Sequence, residues 1–308
     1  MSQSPVYIGV DVSSDSLAVH GPDLDPVYLN TPEGVAKLIK AFPKDAHLVL
    51  EATGGYEMPL VLAFHERRLA VSVVNGRHVR DFAKAMGRLA KTDKVDAATI
   101  AQFALAKGLV PDPVPCAAQL RLAELVARRL QLVELRLAES NRLIHLHQAD
   151  LRADLKRHLA FLDRAIAKIE RLVAQAIAAD SDLNAKCERL REVQGVGLIT
   201  AATLLALMPE LGSLCRARAA SLAGVAPFAR DSGQFKGKRC IWGGRAAVRR
   251  VLYMATLTAI VRNRILRAFY LRLRKAGKPA KLALTAVMRK LVSLLNHMLK
   301  NPNFSLAT

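Results

Sequence analysis

Residues 116–194 contain neither glycine nor proline, and this 79-residue stretch constrains the fold more than any other feature of the sequence. Glycine and proline are the residues least compatible with a helix interior, so their absence predicts a long helical region. Two interleaved sets of apolar residues repeat within it as in a coiled coil: Leu155, Leu162, Ile169 and Leu159, Ile166, Val173. A single helix of this length would exceed about 100 Å, so we expect a helical hairpin that turns near residues 147–153. An ordinary helical core is the alternative.

The segment before this stretch alternates β-rich and helical runs. The runs VYIGVDVS, SLAVHG and PVYLNT lie close together, which is typical of an antiparallel meander. Two more strands are predicted over residues 47–53 and 71–75, and helices follow over about 77–86 and 92–107. Three adjacent strands followed by strand and helix alternation predict an α/β domain, a mixed sheet with flanking helices.

Positive charge is concentrated in the last third of the chain. Residues 211–308 contain 20 Lys and Arg but one acidic residue, Asp231. Such an excess on a foldable segment requires a polyanion, and nucleic-acid phosphates neutralise it with release of counterions. An anionic membrane surface would favour one basic helix with a bulky apolar face, whereas these charges are spread over several segments broken by glycine and proline. The charge therefore favours a nucleic-acid partner and no membrane, and a general surface charge that serves solubility is the other alternative.

The sequence predicts a cytoplasmic protein. The longest apolar run has 11 residues, too short to span a membrane, and the chain starts with polar residues that lead directly into a strand. Four dispersed cysteines form no C-x-x-C pair, which argues against a disulfide framework or a zinc site. They are Cys116, Cys187, Cys215 and Cys240.

Four acidic residues are predicted to form a metal site: Asp11, Glu51, Asp93 and Asp96. Asp11 interrupts an apolar strand, where a carboxylate is costly without a cation or hydrogen-bond donors. Glu51 ends the fourth strand, and Asp93 and Asp96, three positions apart, share one helix face. Two acids on a sheet that face two on a helix can hold two divalent cations suited to phosphoryl transfer. Their order on a meander matches a ribonuclease-H-like metal site.

Each acid also has an ordinary explanation as a helix cap, a surface acid or an ion-pair partner, and Asp93 in particular is close to Lys91 and Lys94. Two nearby acids, Asp15 and Glu57, fit a turn and a helix start, so they are left out of the site. The sugar-kinase and actin-like group also carries G-x-D in its first hairpin. That group requires further glycine-rich loops in a second half, which residues 116–308 do not offer.

The basic segment opens with G-x-G, Gly195 and Gly197, between two helical patterns. A dinucleotide-binding loop would need a preceding strand, which is not predicted here. A helix-hairpin-helix-like element that offers backbone N–H groups to a phosphate fits better, and a plain tight turn is the alternative.

Seven segments in this order carry a resemblance to a known family: GVDVSSDSLAV, LEATGGYE, VVNGRHVRDFAKAMG, KTDKVDAATIAQFA, GVGLITAATLLALMPELG, SLAGVAPFARDSG and AFYLRLRKAGKPAKLALTAVMRKL. Together they resemble the DEDD-type insertion-sequence transposases, relatives of the Piv DNA invertase, over nearly the whole chain. The chain departs from the family pattern at Ser14, where a lysine is usual, and at residues 241–245, where a more basic turn is common.

The resemblance implies a RuvC-like nuclease domain whose four acids bind two Mg²⁺ ions, with Mn²⁺ able to substitute. It also implies a catalytic serine, which maps onto Ser232 in RDSGQFKGKR; without the resemblance, D-S-G is typical of a turn. A non-coding guide RNA and assembly as a homodimer or homotetramer are further implications. We assign nucleic-acid contacts to Gly195, Gly197, Arg230, Lys236, Lys238, Arg239, Arg245, Arg249 and Arg250.

We therefore expect three domains. A RuvC-like metal-binding domain spans residues 1–110, a coiled-coil hairpin residues 111–190, and a mainly helical, serine-bearing transposase domain residues 191–308. The hypothesis is a prokaryotic DNA recombinase, associated with the nucleoid when bound, that cuts and rejoins strands through a phosphoserine. The alternatives are a RuvC-type junction nuclease that hydrolyses DNA with water, and a non-catalytic nucleic-acid-binding factor.

Overall fold

The computed structural model describes residues 6–88, 93–229, 231–233, 235–237 and 239–305. The side chains of residues 93–95, 231, 235 and 236 lie outside this description. The chain divides into two compact units, Met1–Val114 and Pro115–Thr308. The three-domain division expected from the sequence stays a prediction.

A five-stranded mixed sheet forms the centre of the first unit, in the order β3-β2-β1-β4-β5. β1 pairs antiparallel with β2 and parallel with β4, and β5 is parallel to β4. The strands are β1 Val6–Val12, β2 Ser16–His20, β3 Val27–Leu29, β4 Ala46–Glu51 and β5 Ala70–Val74. The helices are α1 Pro32–Ala41, α2 Met58–Glu66, α3 Gly76–Ala85 and α4 Asp93–Lys107. The predicted mixed sheet with flanking helices is confirmed.

Helices cover both faces of this sheet. Alternate residues of β1 and β4, such as Ile8 and Leu50, pack with α1 and α2 in one core. The intervening positions face the other way, where Val49 packs with Ile100 of α4 in a second core. Because both faces are covered, the central strands are almost entirely apolar, as is usual for parallel strands.

α4 lies directly against β1 because Gly9 has no side chain. A Cβ atom at this position would overlap the carbonyl oxygen of Ala97 and lie 2.8 Å from the backbone nitrogen of Ala101. At the other end of the contact, the Tyr7 hydroxyl donates to the carbonyl of Leu109, at 2.8 Å. α4 therefore runs antiparallel to β1, with its first turn towards the end of β1 that carries Asp11.

The second unit is mainly helical, as predicted. Its helices are α5 Ala117–His145, α6 Ala149–Ala178, α7 Ser181–Arg191, α8 Leu198–Leu207, α9 Arg216–Leu222, α10 Ala246–Arg262, α11 Arg264–Lys275 and α12 Ala280–Lys300. Between α9 and α10 the chain forms two short antiparallel strand pairs. β6 Pro227–Phe228 pairs with β9 Cys240–Ile241, and β7 Asp231–Ser232 pairs with β8 Phe235–Lys236.

α5 and α6 pack side by side in opposite directions. Residues 146–148 separate them, and an ion pair of 2.7 Å joins Arg129 of α5 to Glu170 of α6. A second pair links Arg136 to Asp163, nearer the turn. The base of the helix pair shares a core with α7, α8, α10 and α12, through residues such as Val126 and Val173. Coiled-coil interdigitation along the pair stays a prediction.

The stretch without glycine or proline has a second break, which the sequence analysis did not predict. α6 ends at Ala178, and α7 begins at Ser181 with Asp180 as its N-cap. The Asp180 carboxylate accepts a hydrogen bond of 2.9 Å from the backbone N–H of Leu183, so a side chain satisfies one of the free donors of the new helix. An aspartate can therefore start a helix where no glycine or proline ends the previous one.

α12 is long and apolar enough to cross a membrane by length and composition, but half of its most apolar window is buried inside the unit. Val287, Leu291 and Leu295 on its inner face are fully buried in the core of this unit. Its hydropathy is therefore explained by packing within the protein.

Candidate functional site

Asp11 and Glu51 lie side by side at the carboxyl ends of two parallel strands. The register pairs Val10 of β1 with Leu50 of β4, so the next residue of each strand occupies the next matched position. Matched positions on neighbouring strands point to the same face, here the face that carries α3 and α4. Both acids are half-buried. Open α/β sheets commonly bind their ligands at this edge.

The Glu51 carboxylate lies against the first turn of α3. A Cβ atom on Gly76, the first residue of that helix, would overlap this carboxylate. Asn75 caps the helix by accepting a hydrogen bond of 2.9 Å from the backbone N–H of Arg77. A helix N-terminus favours negative charge. Because Gly76 has no side chain, the Glu51 carboxylate can approach the N-terminus of α3, and the dipole of that helix stabilises it. Gly76 is not among the site residues predicted from the sequence, although Asn-Gly directly after a buried strand is a visible signal.

The other two predicted acids lie in the first turn of α4. Asp93 is its first residue, and Asp96, which is half-buried, precedes the residue that packs on Gly9. The turn that bears both acids is therefore directed towards Asp11. The side chain of Asp93 is outside the described part of the chain, and the described side chains form no group of three or more His, Cys, Asp or Glu. The four-acid cluster stays a prediction.

Glu57 organises the loop that follows Glu51. It is 7% exposed, and one carboxylate oxygen accepts from the backbone N–H groups of Thr53 (3.1 Å) and Gly55 (2.8 Å) and from the Thr53 hydroxyl (3.1 Å). The Asn30 amide donates to the carbonyls of Ser13 and Tyr56, which joins the loops after β1 and β4. Glu57 fits a helix start by sequence, and its contacts show that it also fixes the loop beside the two acids.

Ser232 lies on the short hairpin of β7 and β8. It pairs with Phe235, and Gly233 follows it with a φ of +56°, a left-handed conformation that favours glycine in a turn. Ser232 and Arg239 are exposed. The other cations assigned around the serine, Arg230, Lys238 and the side chain of Lys236, lie outside the described residues. The hairpin thus leaves Ser232 exposed, and a nucleophile must be accessible to its substrate.

Three arginines assigned to nucleic acid make contacts within the protein. Arg245 forms two hydrogen bonds of 2.7 Å with the Glu210 carboxylate. Arg249 donates to the carbonyl of Gly243, also at 2.7 Å, and Arg250 pairs with Glu134 at 2.8 Å in an exposed position. Arg245 and Arg249 therefore have structural roles that the sequence did not reveal.

Replacing Arg245 with glutamine is expected to lower the free energy of unfolding by about 1–2 kcal/mol at pH 7, since the pair is about one-third exposed. Burial raises the pKa of Glu210, but the hydrogen bonds and charge of Arg245 outweigh it and hold that pKa below 4.5. The pair thus stabilises the fold above the unfolded-state pKa and loses this effect as the pH falls through the lowered value.

Urea unfolding measures this difference between wild type and variant. This difference should shrink as the pH is lowered from 7 through the lowered pKa of Glu210. Arg157→Gln removes an exposed pair with Asp154 and should cost less than about 0.5 kcal/mol at any pH. A pH-independent difference for Arg245→Gln would contradict the assigned role of Glu210.

The two glycines of the G-x-G have different surroundings. Gly195 has a φ of +103° and packs on α10, where a Cβ atom would lie 2.8 Å from the backbone nitrogen of Ala259. Gly197 is exposed and caps α8, and a Cβ atom there would meet no atom within 4 Å. Gly195 therefore permits close packing, and only Gly197 leaves backbone open to a ligand. The helix-hairpin-helix-like element stays a prediction.

Two family models match this chain in separate segments. A model described as "Transposase", of the DEDD IS110 type, matches residues 8–149, and one described as "Transposase IS116/IS110/IS902 family" matches residues 187–271. The chain belongs to this transposase family. The transposase is therefore an enzyme that cuts and rejoins DNA, and it binds DNA.

Relatives of this transposase support the assignment along nearly the whole chain. The pilin gene-inverting proteins of Moraxella lacunata and Moraxella bovis are each 27% identical over 310 residues, with 94% of both chains covered. The "Insertion element IS110 uncharacterized 43.6 kDa protein" of Streptomyces coelicolor is 30% identical over 138 residues, 42% of this chain and 34% of its own. The resemblance stated from the sequence is confirmed.

Proposed function

We propose that this transposase exchanges DNA strands through a covalent link between Ser232 and a DNA phosphate, assisted by two Mg²⁺ ions at Asp11, Glu51, Asp93 and Asp96. The observation that carries the proposal is the placement of Asp11 and Glu51 side by side at the carboxyl edge of the sheet, with the acidic turn of α4 directed towards them. A divalent cation at this edge would be attracted by both half-buried carboxylates at once.

The donor set fits Mg²⁺ or Mn²⁺. Carboxylate oxygens are the ligands that these hard cations prefer, and all four proposed ligands are carboxylates. When bound, the ions would neutralise negative charge on the phosphate and on the leaving oxygen. Glu57 and Asn30 hold the surrounding loops in place, so the acids need not reorganise when the substrate arrives.

Ser232 supplies the nucleophile in this proposal. Its Oγ forms a bond to the phosphorus while the bond from phosphorus to one strand oxygen breaks; the serine proton is lost and the leaving oxygen takes up a proton. A hydroxyl of the incoming strand then attacks the same phosphorus, and the serine leaves and regains its proton. The phosphoserine conserves the energy of the phosphodiester, so joining needs no other energy source.

A guide RNA and a homodimer or homotetramer complete the proposal. The guide follows from the resemblance: base pairing would select the target while the protein contacts the nucleic-acid backbone. Exposed apolar side chains on the outer part of α5 and α6 support self-association, among them Leu137 (59% exposed), Ile144 (73%) and Phe161 (57%). Leu137 and Ile144 are seven positions apart on α5 and so share one helix face, and exposed apolar patches are typical of protein interfaces.

Covalent trapping tests the mechanism. Wild type and Ser232→Ala are incubated with Mg²⁺, labelled element-end DNA and RNA transcribed from the flanking sequence, then denatured and resolved by size. A labelled protein adduct is expected with wild type and not with Ser232→Ala. Ser213→Ala removes another exposed serine of the same unit and should retain the adduct.

The outcomes separate the two enzymatic mechanisms. Cleaved DNA without an adduct, or a fully active Ser232→Ala, would refute the phosphoserine and favour the hydrolytic junction nuclease. The exposed position of Ser232 on a turn is the observation that favours the covalent mechanism over that alternative.

A further inference from the structure

The second unit carries a basic groove that is lined by none of the residues assigned to nucleic acid from the sequence. It has a volume of about 880 Å³ and is formed by the outer face of α12, the start of α9 and Phe269 of α11. Its cations are Arg216, Arg289, Lys290 and Lys300, all exposed. Among the described side chains, none of the four pairs with a carboxylate. Their charge is therefore available to a ligand, in contrast to that of Arg245.

Buried contacts fix the walls of this basic groove. The Asn296 side chain accepts from the backbone N–H of Gly212 at 2.9 Å and donates to the carbonyl of Leu214 at 2.8 Å, which holds the segment before α9 against α12. The ammonium of Lys290 lies 4.8 Å from the centroid of the Phe269 ring. This ring restrains the position of the cation, so the groove exists before any ligand binds.

The groove has the length and the charge expected of a site for the phosphate backbone of a nucleic acid. Arg289, Lys290 and Lys300 recur on one face of α12, whose opposite face is buried in the core. From Arg289 to Lys300 the helix rises about 16 Å, a length over which one DNA strand carries about five phosphates. The neutral polar side chains of the groove already have hydrogen bonds within the protein. Asn296 bonds to Gly212 and Leu214, the Ser293 hydroxyl donates to the carbonyl of Arg289, and His297 Nδ1 bonds to the Asn301 amide. The groove therefore offers cations to phosphates and few groups that would read base edges.

We propose that the basic groove binds the phosphate backbone of DNA without regard to base sequence. This inference rests on the proposed function and deepens it, because it names a surface that holds DNA during strand exchange. It also assigns DNA binding to Arg216, Arg289, Lys290 and Lys300, in place of the internally paired Arg245 and Arg249.

Cys215 provides a local probe, because it lines this groove and is exposed. A hydrogen bond from the backbone N–H of Arg218 lowers the pKa of its thiol, which favours reaction with iodoacetamide. In the full chain, a duplex of arbitrary sequence at about ten times its Kd should slow alkylation of Cys215 about tenfold. Cys116, which is exposed outside the groove, should react at an unchanged rate.

Charge removal gives the second measurement. Arg289→Gln with Lys290→Gln should weaken DNA binding, reduce the slope of log K against log salt by about 2, and abolish the protection of Cys215. Lys168→Gln with Arg171→Gln removes the same charges from exposed positions on α6 and should leave the slope and the protection unchanged.

Full occupancy by DNA without protection of Cys215, or equal slopes for the two double variants, would overturn the proposal. Protection by RNA of the same sequence but not by DNA would overturn the assignment to DNA. Failure of the phosphoserine mechanism gives a different result, namely no adduct in the trapping assay while Cys215 is still protected.

Discussion

Replacing Asp11 with asparagine is expected to slow strand exchange about 10³-fold or more, while the affinity for DNA changes by less than about twofold. Asparagine keeps the shape of the side chain but loses the negative charge that a divalent cation requires. Because Asp11 lies beside Glu51 at the sheet edge, its charge contributes directly to the proposed metal site. DNA affinity should be retained because the excess positive charge lies in residues 211–308.

Three measurements check this expectation: strand exchange under single-turnover conditions, DNA binding, and the shift in melting temperature caused by Mg²⁺. Mg²⁺ should raise the melting temperature of wild type and have little effect on Asp11→Asn, because a ligand stabilises only a fold that binds it. Asp15→Asn is the matched control, since Asp15 is exposed in the turn that follows the same strand. Normal strand exchange by Asp11→Asn would remove Asp11 from the site.

Replacing Gly9 with alanine is expected to lower the free energy of unfolding of the first unit by about 3 kcal/mol or more. The added methyl group would overlap the backbone carbonyl of Ala97, and a backbone atom cannot move aside as a flexible side chain can. α4 must therefore move away from β1, and it carries Asp93 and Asp96. We expect strand exchange to fall with stability, even at temperatures where the variant is folded.

Hydrogen exchange measured on peptides from β1 and α4 reports on this unit alone, and both segments should exchange faster in the variant. Gly54→Ala is the control, because a Cβ atom there meets nothing within 4 Å and only its φ of +76° opposes the change. It should cost about 1 kcal/mol. Unchanged protection of α4 in Gly9→Ala would show that the close helix–strand contact is not maintained in solution.

Local patterns explain why much of the fold could be predicted. The meander, the two later strands and α4 follow from the periodicity of apolar residues, which acts over a few residues. Asp11 was recognisable because a charge inside an apolar strand is costly wherever the strand lies. The assignment of Ser232 depends on resemblance alone, since D-S-G by itself is an ordinary turn sequence.

The roles of individual polar residues could not be predicted, because they depend on partners far away in sequence. Arg245 was assigned to nucleic acid, yet Glu210, 35 positions away, binds it. Arg289 and Lys290 are not among the residues that the sequence assigns to nucleic acid, although the structure leaves them exposed on the outer face of a core helix. An arginine that pairs with an acid inside the protein and one that stays exposed to a ligand look alike in the sequence. Only the fold decides which basic residues meet an acid.

The sequence by itself determined the family and most of the strands and helices, and it predicted the four acids of the proposed site, because apolar periodicity, glycine and proline positions and motif order are local properties of the chain. Only the tertiary structure decided which residues meet. It placed Asp11 beside Glu51 through strand register, α4 against Gly9 through the absence of a side chain, and Glu51 against the start of α3 at Gly76. These contacts depend on close packing between distant segments, and packing is settled only when the whole unit folds.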